Sequence, residues 1–409
     1  MTTARATFDR GIILLVAAVQ FVNVLDFVMV MPLGPDFARA LGIDESHLGW
    51  VGGSYTLAAG VTGLIASRFL DRYDRRSALA VCMLGLVAGT AAGGLATDLS
   101  TMLLARGLAG AFGGPATSLA ISIVSDTVAT HERGRAMGLV MGAFSLASVI
   151  GVPTGLWAAE LLTWRAPFFG VAGMGLVIAG LALAKLPPLR GHLVALPTEG
   201  PAPSALLSRP EVQASYVMTA VVMMAGFTLI PNISAHFQLN LGVPRDALKW
   251  LYFFGGLSSF ATLQVAGRMV DRFGAVRVGT AGSIVVVALV GTVFLAEATW
   301  CPPTLFFILF MMAMGTRNVA YQALTSRVPG PGERARFQSL QSAIQHGASA
   351  VGAFLAAQML TPSSGEPRRL LGMGAVAVVS MALSATIPWL MHNVQSRLSP
   401  VVVPSSNPG

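Results

Sequence analysis

Apolar residues occur in twelve long runs, separated by short segments that hold most of the charged residues. A helix needs about 20 apolar residues to cross the hydrocarbon core of a bilayer, so each run predicts one membrane span. The runs cover residues 11–34, 46–69, 77–96, 101–125, 135–159, 166–185, 212–235, 246–269, 276–296, 305–326, 335–359 and 370–392. This pattern predicts an all-α membrane protein with twelve transmembrane helices in two six-helix bundles.

A proline-rich segment separates the sixth run from the seventh. It contains no apolar run long enough to cross a membrane, which is typical of a linker. We therefore predict an N-terminal bundle in residues 1–185, a cytoplasmic linker in 186–211, a C-terminal bundle in 212–393 and a cytoplasmic tail in 394–409. The first run is too long for a cleavable signal peptide and is followed by further runs.

Composition and charge placement agree with a membrane location. Of the residues, 54% are hydrophobic and 11% are charged, against about 25% charged in soluble domains. This argues against a water-soluble enzyme or a nucleic-acid-binding protein, despite the net charge of +8. Lysine and arginine concentrate in the loops on the side of the two termini, which the positive-inside rule places in the cytoplasm. We expect a multi-pass protein of the cell (inner, cytoplasmic) membrane with both termini cytoplasmic.

The two halves of the chain repeat each other. The pair at residues 71–72 follows the second run and is Asp-Arg, as is the pair at 271–272 after the eighth run. A Glu-Arg pair stands at 132–133 after the fourth run and again at 333–334 after the tenth. Two signatures at nearly the same offset indicate a parallel internal repeat. Secondary transporters are commonly built from such repeats, with the substrate site between them.

Four motifs resemble those of the major facilitator superfamily, and the resemblance covers all twelve spans. Residues 67–76 resemble the Gly-x-x-x-Asp-Arg-x-Gly-Arg-Arg loop of that family, with serine and Asp74 in place of the two glycines. Residues 104–114 resemble its fourth-span motif and residues 149–155 its fifth-span antiporter motif. Residues 25–37 look like the first-span motif of the twelve-span drug:proton antiporters. The chain is thus identified as a member of the superfamily, which implies its two-bundle fold.

Charges deep within apolar runs are candidates for mechanism, because a charge in the bilayer interior is costly. Asp26 in the first span and Arg106 in the fourth lie at depths that differ by only about 5 Å, at 1.5 Å per residue. We expect them to pair in one state, and protonation of Asp26 to release Arg106 and couple transport to protons. The alternative is a purely structural role for either residue. His346 is a second candidate proton site, because histidine titrates near neutrality.

Polar side chains within the spans are candidates for contact with a substrate. These are Asn23, Asp26, Tyr55, Arg317, Tyr321, Gln322, Gln341 and Gln345. Arg317, Tyr321 and Gln322 share one helical face, and an arginine facing a cavity would favour substrates with an anionic group. Interhelical hydrogen bonding is an equal explanation for the two glutamines of the eleventh span. For Tyr55 we favour anchoring at the membrane interface, with contact to a substrate as the alternative.

The loop motifs and the fifth span supply candidate gating residues. These are Asp71, Arg72, Arg75, Arg76, Asp271, Arg272, Gly151, Pro153 and Gly155. A carboxylate at position 71 can cap a helix N-terminus, and the arginines can meet helix C-termini and acids such as Asp126. Such contacts would hold the two bundles together on the inner side, although the arginines could instead only fix topology. Pro153 should bend the fifth span, and the resemblance implies that this region seals the substrate path.

The leading hypothesis is a secondary active transporter that exports small amphipathic or drug-like molecules in exchange for protons by alternating access, as in multidrug efflux. A proton-coupled symporter or facilitator for a small, anionic metabolite is the alternative, and a membrane sensor or receptor on a transporter scaffold is a distant third. The sequence shows no nucleotide-binding loop or metal-ligand cluster, so we expect no cofactor, no metal and no enzymatic activity. The expected partners of this monomer are a small-molecule substrate, protons and the lipid bilayer, without nucleic acid.

Overall fold

A computed structural model of the chain describes residues 10–66, 70–128, 132–190, 206–295, 301–330, 333–363 and 369–398. Helices make up almost all of these residues. In the N-terminal half they are α1 (Arg10–Met29), α2 (Gly34–Leu41), α3 (Leu48–Ala66), α4 (Arg75–Gly94), α5 (Leu99–Thr127), α6 (Arg133–Met141), α7 (Ala143–Leu146), α8 (Val152–Leu161) and α9 (Ala166–Lys185). In the C-terminal half they are α10 (Pro210–Leu229), α11 (Ile233–Leu239), α12 (Leu248–Phe273), α13 (Ala275–Val290), α14 (Pro303–Thr325), α15 (Arg334–Met359) and α16 (Met373–Arg397).

Each half packs as one helical bundle. In the first bundle α5 packs on α3 and α4, and α9 packs on α1 and α4. In the second, α14 packs on α12 and α13, while α10 packs on α15 and α16. The short helices α2 and α11 lie at one end of the bundles, which we call the cap end. The opposite end, where α9 ends and α10 begins, we call the linker end.

The internal repeat is visible in the backbone at an offset of 200 residues. Helices α1 and α10 are both 20 residues long and begin 200 residues apart. Gly42 and Gly242, which follow the short helices α2 and α11, have the same positive φ of 65°, which glycine adopts without strain. Phe27 and Phe227 are equivalent in the two repeats and stack across the bundle interface with ring centroids 5.9 Å apart. The register of the repeat is therefore fixed near the C-terminal ends of α1 and α10.

Two helix pairs form most of the contact between the bundles. Helix α3 packs on α15, and α12 packs on α8 together with the helical turn before it. Glycines allow the close approach: a Cβ at Gly60 would lie 3.1 Å from His346 Cβ, and one at Gly256 would lie 2.8 Å from the main chain of Ser148. The contact extends from the cap end into the middle of the molecule.

Nine helical segments within the described ranges are long and apolar enough to cross a membrane. The predicted second, eighth and eleventh spans coincide with α3, α12 and α15, which are 19, 26 and 26 residues long but lie outside that group of nine. All three helices lie at the bundle interface, where protein covers positions that lipid would otherwise contact. The predicted all-α fold of two bundles is confirmed, and the count of twelve spans stays a prediction.

A small hairpin connects α15 to α16 at the cap end. Its strands β1 (Thr361–Pro362) and β2 (Leu370–Leu371) pair antiparallel, and the described part of the chain contains no other sheet. Asn240, which follows α11, holds the hairpin: its Nδ2 donates to the Leu370 carbonyl at 2.8 Å, and its Oδ1 accepts from the Leu370 amide at 2.9 Å. The hairpin is thereby attached to the cap end of the C-terminal bundle.

Candidate functional site

An ion pair joins the first and fourth spans inside the N-terminal bundle. Arg106 Nη1 donates to both carboxylate oxygens of Asp26, at 3.0 and 3.1 Å, and Nη2 donates to the Asp26 main-chain carbonyl at 3.3 Å. The two side chains are 1% and 0% exposed. A buried charge is tolerated when it is paired and hydrogen-bonded, and this pair fulfils both conditions. The predicted pairing is confirmed, while its role in proton coupling stays a prediction.

Thr90 on α4 is a third member of this site, and it was not among the candidates predicted from sequence. Its hydroxyl lies 2.7 Å from Asp26 Oδ1 and can donate to it. It also lies within hydrogen-bonding distance of the Leu86 carbonyl, so a helical threonine can switch between a side-chain and a main-chain partner. The carboxylate therefore points into the bundle, between α4 and α5.

Tyr55 and Asn23 extend the site toward α3. The Arg106 guanidinium carbon lies 4.7 Å from the centre of the Tyr55 ring, a cation–π arrangement. The tyrosine hydroxyl donates to Asn23 Oδ1 at 2.8 Å, and Asn23 Nδ2 lies 2.8 Å from the Gly113 carbonyl, to which it donates. We call Asn23, Asp26, Tyr55, Thr90 and Arg106 the N-terminal network. Its members come from four helices, and all are buried.

The fifth span packs directly on the part of α1 that carries Asp26. A Cβ at Gly151 would meet the Leu25 side chain at 2.5 Å, and one at Gly155 would meet Met29 Sδ at 3.0 Å. A π-helical turn at Ala147–Gly151 immediately precedes α8. Pro153 explains that turn, because proline cannot donate the main-chain hydrogen bond of a regular helix and its ring crowds the preceding turn. The predicted irregularity of the fifth span is present at this position.

The C-terminal bundle contains a buried arginine that, unlike Arg106, forms no ion pair within the described residues. Arg317 on α14 is 0% exposed. Its Nη1 donates to Ser384 Oγ at 3.2 Å and its Nη2 to Met314 Sδ at 2.9 Å, while its Nε has no partner. No carboxylate within the described ranges forms an ion pair with it. The nearby Tyr321 is also buried, and its hydroxyl accepts from Gln345 Nε2 at 2.8 Å.

The other candidates of the C-terminal half are dispersed. Gln322 is exposed, so it does not share the buried environment of Arg317. Gln341 is 5% exposed and its Oε1 has no partner. His346 Nδ1 lies 2.8 Å from the Ser342 carbonyl of its own helix, and no hydrogen bond within the described part connects it to Asp26. The structure thus unites Asn23, Asp26, Tyr55 and Arg106 but not His346.

The gating candidates at the linker end contact their own bundle. Arg75 Nε forms an ion pair with Asp126 Oδ2 at 2.5 Å, as expected from the sequence. Arg76 Nη1 donates to the Leu186 carbonyl at 3.2 Å, at the C-terminal cap of α9. The other gating candidates at this end, Arg72, Asp271 and Arg272, are exposed. The backbone at position 71 belongs to a short 3-10 helix, Leu70–Arg72, but the side chain of Asp71 lies outside the described part.

Asp74, which replaces a glycine of the family motif, has a defined structural role. It is the N-cap of α4, and its Oδ1 accepts from the amides of Arg76 at 2.9 Å and Leu189 at 3.1 Å. Its Oδ2 pairs with Arg190. Partial burial acts to raise the pKa of Asp74, but these hydrogen bonds and the arginine outweigh it and lower the pKa. Asp74 therefore attaches the start of the linker to the N-terminal bundle.

Two ion pairs connect the bundles at the cap end, and the sequence did not indicate either. Arg245 Nε donates to both oxygens of Asp36, at 2.8 and 2.7 Å, and Arg245 Nη2 lies 2.6 Å from Oδ2. Lys249 Nζ lies 2.7 Å from Glu160 Oε2. All four residues lie near helix ends at the cap end. These pairs must separate whenever the bundles part there.

We expect Asp36→Arg to loosen the cap end by replacing the first ion pair with a repulsive contact. Because the pair is partly exposed, the shift should be about 1 kcal/mol, or roughly fivefold in the population of the open form. The measurement is the rate of maleimide labelling of Gly52→Cys, placed between the bundles, after both native cysteines, Cys82 and Cys301, are replaced by serine. Adding Arg245→Asp should restore the slow rate. Equal rates in all three backgrounds would show that the pair does not restrain the cap end.

The two-bundle fold with buried charges inside the spans defines a multi-pass membrane transporter. The sequence model described as Major Facilitator Superfamily matches residues 16–353 and 215–401. The chain belongs to this family. Its members are transporters and not enzymes, and they act on small-molecule substrates within the membrane, usually as monomers.

Several known proteins resemble the chain. A chloramphenicol resistance protein of Streptomyces lividans is 25% identical over 374 residues, covering 91% of this chain and 94% of the relative. A puromycin resistance protein, pur8, of Streptomyces alboniger is 34% identical over 157 residues, covering 38% of this chain and 31% of the relative. The crystal structure of a D-xylose-proton symporter superposes with a TM-score of 0.74 at 15% identity, covering 93% of this chain and 96% of that one. At that identity the last likeness concerns the fold alone.

Proposed function

We propose that this transporter exports small amphipathic or drug-like molecules in exchange for protons by alternating access. It acts in the cytoplasmic membrane as a monomer, with both termini in the cytoplasm, so that the cap end faces outward. The observation that carries the proposal is the Asp26–Arg106 pair, a fully buried carboxylate whose charge is balanced by one guanidinium. Uptake of a proton by Asp26 removes that balance, because the guanidinium remains charged.

The packing around Asp26 provides a route from protonation to the gate. Leu25 and Met29, on either side of Asp26 in α1, pack on the two glycines of the fifth span. The same part of the fifth span, at the main chain of Ser148, packs on Gly256 of the C-terminal bundle. A change in α1 that follows protonation therefore acts on a helix that contacts the other bundle. We propose that a proton reaching Asp26 from the outer side, through the open cap end, releases the substrate outward, and that this linkage then closes the cap end so that the proton leaves on the inner side.

The substrate class is proposed from the relatives together with the site. The names of two relatives are those of chloramphenicol and puromycin resistance proteins, which supports drug-like compounds of moderate size. Tyr55 and Asn23 supply an aromatic face and an amide beside the ion pair. Rearrangement of the N-terminal network would present these groups to a partly apolar molecule, since recognition sites combine apolar walls with a few polar groups.

We expect Asp26→Asn to abolish transport driven by a pH gradient while leaving exchange of substrate for substrate in place. The asparagine cannot gain or lose a proton, but it keeps the size and one acceptor oxygen of the carboxylate. The measurement is uptake of radiolabelled chloramphenicol into proteoliposomes, first with an imposed pH gradient and then by counterflow without one. Asp98→Asn is the matched control, because that exposed acid lies in the same bundle but outside both the network and the cap-end ion pairs. Full gradient-driven uptake by Asp26→Asn would refute the coupling role.

The alternative, a proton-coupled symporter or facilitator for a small anionic metabolite, is favoured by one observation. Arg317 is buried without an acidic partner in the described part of the chain, and a substrate carboxylate could supply the missing charge. The direction of proton movement separates the two functions. Substrate added to one side acidifies the opposite compartment in symport and alkalinises it in antiport.

A further inference from the structure

No acid among the residues that the structure describes supplies a counter-charge to the buried guanidinium of Arg317. Within the described ranges it contacts the Ser384 hydroxyl and the Met314 sulfur, both neutral. Its Nε has no partner there, and neither has the Nε of Arg106, so the difference between the two arginines is the counter-charge. Transferring an unpaired charge into a protein interior is costly, so buried charges are normally paired. The N-terminal bundle follows this rule at Arg106. The C-terminal bundle departs from it within the residues that the structure describes.

The internal repeat shows where the missing carboxylate would lie. Asp26 stands three residues before the end of α1, and Gly226 stands three residues before the end of α10. Phe27 and Phe227, the next residue in each helix, stack on each other, which fixes this register. A Cβ at Gly226 would lie 4.0 Å from Arg317 Nη2. In both bundles, therefore, a buried arginine faces the same position of the first helix, and only the N-terminal bundle has a carboxylate there.

We propose that Arg317, Ser384 and the surface of Gly226 form a binding site for a monovalent anion, either a carboxylate of an organic compound or a small inorganic anion. A guanidinium presents several N–H donors in a fixed plane that suits a carboxylate. The Ser384 hydroxyl accepts from Arg317 and keeps its own proton free for a second hydrogen bond to the anion. Glycine at position 226 supplies close access to the main chain without adding a competing charge.

Met314 occupies this space in the present conformation and would move when an anion binds. Its Cε lies 3.0 Å from the position of a Cβ at Gly226, and its sulfur accepts from Arg317 Nη2 at 2.9 Å. Methionine has three rotatable side-chain bonds, and its thioether is a weak acceptor. An anion is a much stronger acceptor for a guanidinium than a thioether is. Exchange of the sulfur for an anion would therefore give Arg317 both a stronger acceptor and a counter-charge.

Thermal unfolding of the purified full-length protein in detergent tests the proposal. The probes are sodium benzoate and sodium chloride, titrated at constant ionic strength against sodium MES as the reference salt. Ligands that bind only the folded state raise the unfolding temperature with concentration. We expect a saturable rise for the wild type and none for Arg317→Gln. Failure of the wild type to respond to both salts beyond the MES baseline overturns the proposal.

A matched pair of variants at position 226 sharpens the test. Gly226→Asp places a carboxylate opposite Arg317, so it should remove the response to added anions and raise the unfolding temperature in their absence. Gly226→Asn has the same size without the charge and should keep a response, although a weaker one. Equal behaviour of the two variants contradicts the proposal, because size alone would then explain both.

The same thermal unfolding measurement shows which class of anion binds and whether the site acts independently of Asp26. A response to benzoate alone supports an organic carboxylate, and equal responses to benzoate and chloride support a small inorganic anion. Asp26→Asn should respond to anions like the wild type, because Asp26 belongs to the other bundle. Loss of gradient-driven transport with intact anion binding, or the reverse, therefore separates this site from the proposed proton coupling.

Discussion

Replacing Arg106 by glutamine should abolish transport and destabilise the folded protein by about 3–5 kcal/mol, the usual cost of removing one partner of a buried ion pair. The side chain donates to Asp26 through two nitrogens and covers the ring of Tyr55. Its loss leaves the Asp26 carboxylate with Thr90 as its remaining side-chain partner in the described part. One substitution therefore removes the ion pair and the contact that joins it to α3.

The stabilities of the two single variants, Arg106→Gln and Asp26→Asn, should depend differently on pH. In Arg106→Gln the remaining carboxyl group can become neutral by taking up a proton, so acid should partly restore stability. In Asp26→Asn the remaining guanidinium cannot lose its charge under any physiological condition, so acid should not help. The double variant leaves no unpaired charge and should be more stable than either single variant.

Thermal unfolding of the four proteins between neutral and mildly acidic pH measures these effects. Lys249→Gln provides a control, because its ion pair with Glu160 is partly exposed and its removal should cost about 0.2–1 kcal/mol. Near-additive losses in the double variant would mean that the two residues stabilise the protein separately. That result would remove the basis for treating them as one coupled unit.

A leucine at Gly49 should prevent the cap end from closing. A Cβ at this position would overlap the main-chain carbonyl oxygen of Ala353 on α15 and lie 3.3 Å from Ala357 Cβ. Main-chain atoms cannot rotate away, so the bundles must separate to accommodate the side chain. Overpacking costs about 1–3 kcal/mol, which corresponds to a shift of about 5–150-fold between two conformations. We expect a folded protein that has lost transport.

Spin labels at two exposed positions of the cap end, Arg39 and Leu241, would report the change as a longer interlabel distance. Gly63→Leu is the matched control, because Gly63 lies on the same helix and a Cβ there would have no neighbour within 4 Å. The control should keep the wild-type distance and transport. An unchanged distance in the Gly49 variant would show that α3 and α15 do not form the closing contact.

Charged and glycine residues differ in how far sequence could predict their partners. Asp26 and Arg106 could be paired from sequence, because helical rise converts chain position into depth and charges are rare at that depth. Thr90 could not be found in this way, since threonine is common in spans. The cap-end ion pair of Asp36 and Arg245 could not be predicted from sequence either, because charged residues in loops have many candidate partners. The relation of Gly226 to a buried arginine became evident only when the register of the repeat and the packing of α14 were known.

The sequence by itself determined the class of protein, the two repeated bundles, the depth of the intramembrane charges and the position of the fifth-span irregularity. These properties follow from local rules: the thickness of the bilayer, the helical rise and the lack of a proline N–H. Only the tertiary structure decided which faces of the helices meet. It placed α3, α12 and α15 at the bundle interface, directed Asp26 toward α4, and left Arg317 without an acid in the described residues. Rotation of a helix about its axis depends on packing against distant parts of the chain, and lipid-facing and protein-facing sides of a span are both apolar.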